Sequence, residues 1–136
     1  MEKLTRGMRN NNPFNIRKSS NKWFGKINGV DKDFETFDTL VHGYRAGLVL
    51  LRTYYIKYHC DTIRKVIERF APTNENNTKA YIYWLSECTG FGADEKLTKR
   101  QLLGNIAPFI AEYESHCHLP LFVQKQLIYN LNNEYE

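Results

Sequence analysis

From residue 38 onward, apolar positions recur with a helical period. Leu40, Tyr44, Leu48, Leu51 and Tyr55 are separated by four, four, three and four residues, which places them on one face of an α-helix. Asp38 or Thr39 stands where a cap is needed, and the spacing predicts a long, central buried helix to about Tyr58. Asp61 begins a shorter helix to Phe70 that buries Ile63, Val66 and Ile67, closed by the Pro72 loop. Asn76 or Asn77 is suited to cap a helix over residues 79–88, which ends near Gly90 as helices often do. Thr98-Lys99-Arg100-Gln101 has the form of a capping box. It opens a helix toward His116 with a kink or break before Pro108, which removes a backbone donor and crowds the preceding turn. Pro120 suits the first position of a final helix to about Leu131.

The first third of the chain lacks this period. Asn10-Asn11-Asn12-Pro13 is turn chemistry, because Asn tolerates left-handed geometry and Pro13 pushes Asn12 toward extended backbone. Stretches at 14–17, 23–27 and 34–37, with Asn28-Gly29 as a turn signal, predict a small hairpin or three-stranded sheet. The predicted fold class is α+β, mainly α, with about five helices and a small N-terminal β element. A chain of 136 residues fits a single domain over residues 1–136.

Composition narrows the classes. The longest apolar run, Ala46 to Leu51, falls far short of the roughly 20 residues of a bilayer span, so no membrane insertion is expected. Met1 to Arg6 carries no apolar stretch of a secretory signal, so synthesis in the cytoplasm without a signal peptide is expected. Three cysteines cannot form a closed disulfide framework, and with four histidines they show no zinc-ligand spacing, so no metal is expected. No phosphate-binding glycine loop is present, and no cofactor is expected.

Charge is uneven. The formal +4 divides into +6 over residues 1–32 and −2 over the remainder, a basic end that would meet an anionic partner or maintain solubility. Aromatic residues make up 14% of the chain, and their apolar bodies with polar handles suit stacking on sugars, bases or protein partners.

Glu114 is the first candidate for chemistry. Leu103, Ala107, Ile110 and Glu114 follow one another at four, three and four, so the carboxylate continues an apolar stripe, whereas Glu112 projects elsewhere. A partly desolvated carboxyl can serve as a general acid near neutral pH, as glycosidic cleavage requires; a helix-end Glu reaching into water has the same pattern. Glu75 lies in the Ala71–Thr78 segment between two helices, a position that suits a site residue or simple complementation of a helix dipole.

Arg6-Gly7-Met8-Arg9-Asn10-Asn11-Asn12-Pro13-Phe14-Asn15-Ile16-Arg17, then Trp23-Phe24-Gly25, Phe34-Glu35-Thr36-Phe37-Asp38, Gly43-Tyr44-Arg45-Ala46 and the run from Ala71 to Ile82 resemble small lysozyme-like proteins of bacteriophages and prophages. The resemblance covers roughly residues 6–90. It departs at Phe14, Phe70 and Val41, where that family usually carries Gly, Trp and an acidic residue. The Asn11–Arg17 segment is also similar to the Asn-Asn-Leu-Phe-Gly-Ile-Lys segment of lysozyme-type β-N-acetylglucosaminidases. In those enzymes a helix ending in a catalytic Glu, often followed by Ser, comes before that segment. About ten residues precede Asn11 here, and the matching Glu114-Ser115 helix stands near the other end, as though the fold were circularly permuted. Glu75, Thr78 and Tyr81 resemble the late Glu-Thr-x-x-Tyr element of lytic transglycosylases.

The resemblance implies a lysozyme-like peptidoglycan hydrolase cleaving the β-1,4 glycan backbone, of lysozyme or lytic transglycosylase type. Glu114 would be its acid, with Glu75 or Glu35 as second carboxylate. Asn11, Asn12, Asn15, Thr78 and Tyr81 would hydrogen-bond the sugar, and Trp23 or Phe24 would stack on it. A monomer acting on peptidoglycan strands is expected, reaching the cell wall or periplasm after release or as a virion component. Two other classes fit the residues: a non-catalytic virion or wall-binding module on the same fold, and a nucleic-acid-binding domain using the basic N-terminal segment, disfavoured by the acidic helices behind it.

Overall fold

The computed structural model describes residues 3–71 and 75–133, with Glu75 and Asn76 described by their backbone alone. In chain order the elements are α1 (Arg6–Arg9), β1 (Lys26–Ile27), β2 (Thr36–Phe37), α2 (Leu40–Tyr58), α3 (Ile63–Phe70), α4 (Glu75–Thr89), α5 (Lys99–Gln101), a π-helical stretch (Leu102–Ile106), α6 (Ala107–Ser115) and α7 (Leu121–Asn132). The fold is mainly α with a small two-stranded sheet. No helix among the described residues is long and apolar enough to cross a membrane. The chain forms two compact units, Met1–Val49 with Ile110–Glu136, and Leu50–Phe109.

In the first unit, the N-terminal third is held by side chains more than by regular structure. Thr5 Oγ1 caps α1 by accepting from Met8 N. The Arg6 guanidinium donates two bonds of 2.7 Å to Asp31 and lies 4.4 Å over the Phe34 ring. That guanidinium, with Asn10 Nδ2 and the amides of Asp33 and Phe34, holds the Asp31 carboxyl well below the usual carboxylate range. The stabilisation is therefore present above about pH 4 and is lost as pH falls through the lowered value. β1 and β2 pair antiparallel, Lys26 with Phe37 and Ile27 with Thr36.

Of the two expected β arrangements the hairpin forms and the three-stranded sheet does not; at 14–17 a single bridge joins Arg17 to Phe34. Phe14 and Ile16 are buried, but Asn11 and Asn15 adopt φ of +51° and +50°, so the backbone curls and cannot extend a ladder. Asn28-Gly29 likewise does not make a two-residue turn, because the connection between the strands runs over residues 28–35. Phe14 packs edge-on against Tyr44 of α2 at 5.1 Å. Burial of Phe37, Leu48, Ile110, Leu127 and Leu131 completes the core of this unit, each side chain contributing about 1.5–3 kcal/mol relative to exposure.

α2 begins after Thr39, whose Oγ1 accepts from His42 N, and its Tyr44, Leu48 and Leu51 are buried. In the second unit Thr62 caps α3, which buries Ile63, Val66 and Ile67, and α3 packs against α4. α4 starts at Glu75, so Asn76 and Asn77 fall within the helix and do not cap it; Pro72 lies outside the described residues. The capping box forms with bonds of 2.9 and 3.0 Å between Thr98 and Gln101. The expected break before Pro108 is the π-helical stretch, which shifts the hydrogen-bond pattern where Pro108 would crowd the Gly104 carbonyl. Pro120 stands at the N-cap of α7, one position earlier than expected.

The thiols follow this packing. Cys60 and Cys117 are buried and Cys88 is exposed. Burial pushes both enclosed thiols up, Cys117 to about 11, which starves them of reactive thiolate at neutral pH. A thiol reagent at pH 8 is expected to label one cysteine rapidly and two more only on denaturation, and Cys88→Ser should remove the fast phase. Rapid labelling at all three would contradict this packing.

Candidate active site

The first unit assembles a polar cluster where α6 ends. The helix stops because His116 takes φ of +54°, with His116 N returning to Glu112 O and Cys117 N to Ala111 O, a left-handed C-terminal cap. Glu114 and Ser115 are thereby held in the last turn of α6. Leu103, Ala107 and Ile110 are buried and Glu114 is half-buried, as the stripe requires.

The Asn-rich loop meets this turn. Asn15 Nδ2 donates to Glu114 Oε1 at 3.1 Å and to the Glu114 carbonyl at 3.2 Å. Asn15 Oδ1 is enclosed with no hydrogen-bond partner among the described residues. Thr5 Oγ1 donates to the Ser115 carbonyl at 2.7 Å. Ser115 itself is fully buried, and a Cβ on Gly7 would overlap its hydroxyl, so glycine is what lets α1 approach this closely. Two more contacts set the loop itself. Asn11 Nδ2 donates to the Phe37 carbonyl at 3.0 Å, and a Cβ on Gly43 of α2 would overlap the Asn11 carbonyl oxygen.

Asn12 belongs to the scaffold and is not open to a ligand, contrary to its expected contact with sugar. It is fully buried, with Nδ2 bonded to the carbonyls of Ile16 and Glu35 and Oδ1 accepting from Ile16 N. Removing those partners strands buried backbone groups. Asn12→Ala is accordingly expected to cost roughly 3 kcal/mol in urea unfolding; a loss under about 1 kcal/mol would show that water replaces the amide.

Glu35 is also enclosed, 2% exposed, with Oε2 2.9 Å from Lys26 Nζ and 3.3 Å from Ser19 N. This carboxylate is committed to an internal ion pair, the arrangement a buried charge needs. Trp23 is half-buried and lines an open concavity of about 480 Å³. Phe24 is 62% exposed, edge-on to His42 at 4.8 Å with the Arg45 guanidinium 5.5 Å from its ring centre. Glu75, Thr78 and Tyr81 belong to the second unit. Thr78 Oγ1 donates to the Ala71 carbonyl at 2.8 Å and Tyr81 is buried; the Glu75 side chain lies outside the described residues.

Pattern does not mark Thr5 and Gly7, because a cap and a glycine acquire a role only through tertiary approach. The described residues contain no group of three or more His, Cys, Asp or Glu placed to hold a metal.

No family model matches the chain. Over 101 residues it is 43% identical to "Protein P5" of Pseudoalteromonas phage PM2. The match takes in 71% of this chain and 63% of that protein, so the chain spans less than two thirds of its phage relative's length.

Proposed function

We propose that this protein cleaves the β-1,4 glycan backbone of peptidoglycan, on a lysozyme-like fold, with Glu114 as proton donor. The observation that carries the reading is the bond from Asn15 Nδ2 to Glu114 Oε1 across 99 positions of sequence. In the lysozyme-type enzymes that the sequence resembles, the Glu-Ser helix stands before the Asn-rich segment. Here it stands after it, yet both belong to one compact unit, which is the relation a circular permutation leaves behind. Similarity to a phage protein supports a phage setting, with delivery by a virion or by lysis machinery.

The chemistry follows from the position of the carboxyl. Glu114 stands one residue from the end of α6, where unpaired helix carbonyls oppose added negative charge, while the Asn15 amide fixes its orientation. It donates its proton to the glycosidic oxygen as the bond to C1 breaks. Glu35 is enclosed by Lys26, and we take the second step to use the sugar's own C6 hydroxyl in place of a second carboxylate. That oxygen bonds to C1 and its proton returns to Glu114, so no external nucleophile is consumed. Phe24, largely exposed, offers an apolar face for a sugar ring.

The test is mass spectrometry of the muropeptides released from purified sacculi. Anhydro ends, lighter by one water than reducing ends, are expected. Reducing ends would assign the second step to water, and no release from sacculi that bind the protein would overturn the reading.

A further inference from the structure

The concavity beside β1 is lined by none of the residues that position Glu114, and its chemistry differs. Ser20, Asn21, Lys22, Trp23, Ile27 and Asn28 line it, together with Lys26. Its volume of about 480 Å³ falls within the range of ligand sites, but it is open, so it suits a polymer lying across it better than an engulfed small molecule. Two apolar surfaces, Trp23 and Ile27, stand among amides and a hydroxyl, the mixture that N-acylated sugars match. Trp23 Nε1 is enclosed and has no acceptor among the described residues, so the ring, and not this donor, is what the concavity presents to a ligand.

The two lysines are not equivalent. Lys26 Nζ is engaged by Glu35 Oε2 at 2.9 Å and by the carbonyls of Ser19 and Asn21 at 2.9 and 3.0 Å, which uses its three donors and cancels its charge. Lys22 is exposed and makes no ion pair among the described residues, so it is the uncompensated charge of the concavity.

We propose that this concavity is a second contact site for the polymer, in which Lys22 receives a carboxylate of the peptide stems carried by the glycan. The inference rests on the proposed peptidoglycan reading for its choice of polymer, and it is tested by binding in place of turnover. Glu114→Gln protein is sedimented with intact sacculi and with sacculi whose stem carboxylates have been converted to amides by carbodiimide and ammonia, with and without Lys22→Glu. About fivefold tighter binding to intact sacculi is expected, near the upper end for one exposed ion pair, shrinking with added salt and abolished by Lys22→Glu. Equal binding to both polymers, a stem preference that survives Lys22→Glu, or no sedimentation with either would overturn the proposal. A Glu114→Gln protein that still cleaved glycan would remove the proposed acid and leave the stem preference as a separate result.

Discussion

Glu114→Gln is expected to lower the rate of glycan cleavage by about two to four orders of magnitude, the range of a lost general acid. The amide keeps the shape and hydrogen-bonding capacity of the carboxyl but has no proton to give to a leaving oxygen. Stability should change little, because Asn15 Nδ2 still finds both an amide oxygen and the Glu114 carbonyl, and thermal unfolding of the variant checks this. Glu112→Gln serves as the control on the same helix. Glu112 lies 2.6 Å from His118 Nε2 and 3.9 Å from His116 Nδ1, and it makes no contact with the Asn-rich loop among those described. It is expected to retain cleavage. Equal losses in both variants would mean that general disturbance of α6, and not a proton, had been removed.

The second large effect concerns the scaffold. Gly43→Ala is expected to destabilise the protein by about 3 kcal/mol, at the upper end for an overpacked site, lowering the thermal midpoint by roughly 10 °C in a chain of this size. The added methyl would overlap the carbonyl oxygen of Asn11, a backbone atom, and no rotamer change can relieve it. Nor is the loop free to retreat: Asn11 Nδ2 is bonded to Phe37 O, and Phe37 N to Asn10 O. Since the same loop delivers Asn15 to Glu114, cleavage should fall beyond what the unfolded fraction explains. Gly92→Ala is the comparison, because a Cβ there meets Glu95 at an ordinary 3.6 Å; differential scanning calorimetry of the pair separates the close approach from a general glycine effect. A Gly43→Ala protein as stable as the Gly92→Ala protein would show that helix and loop are not locked together.

What could be read from the chain was what neighbours in sequence decide. The capping box at Thr98, the disturbance ahead of Pro108 and the buried triad of α3 are local, set by spacings of three and four and by proline's missing donor. Glu114 was legible for the same reason, as the polar end of an apolar stripe. Features made by distant approach were not legible. The 14–17 stretch carries two large apolar residues and suggests a strand, but left-handed Asn11 and Asn15 fold it back. Glu35 in the middle of a β-like run suggests an exposed carboxylate, and its burial depends on Lys26 reaching it. Asn12 showed a side chain able to bond sugar; nothing local revealed that Ile16 and Glu35 had already taken it. The bond from Asn15 to Glu114 joins positions 99 apart, a contact that periodicity cannot supply.

The most direct measurement is a side-by-side digestion of purified sacculi by the wild-type protein and Glu114→Gln, with soluble products resolved by mass spectrometry. The expected result is disaccharide-peptides from the wild type and essentially none from the variant at matched binding. Equal release from both, or none from a wild-type protein that binds the sacculi, would contradict Glu114 as the acid of a glycan-cleaving site.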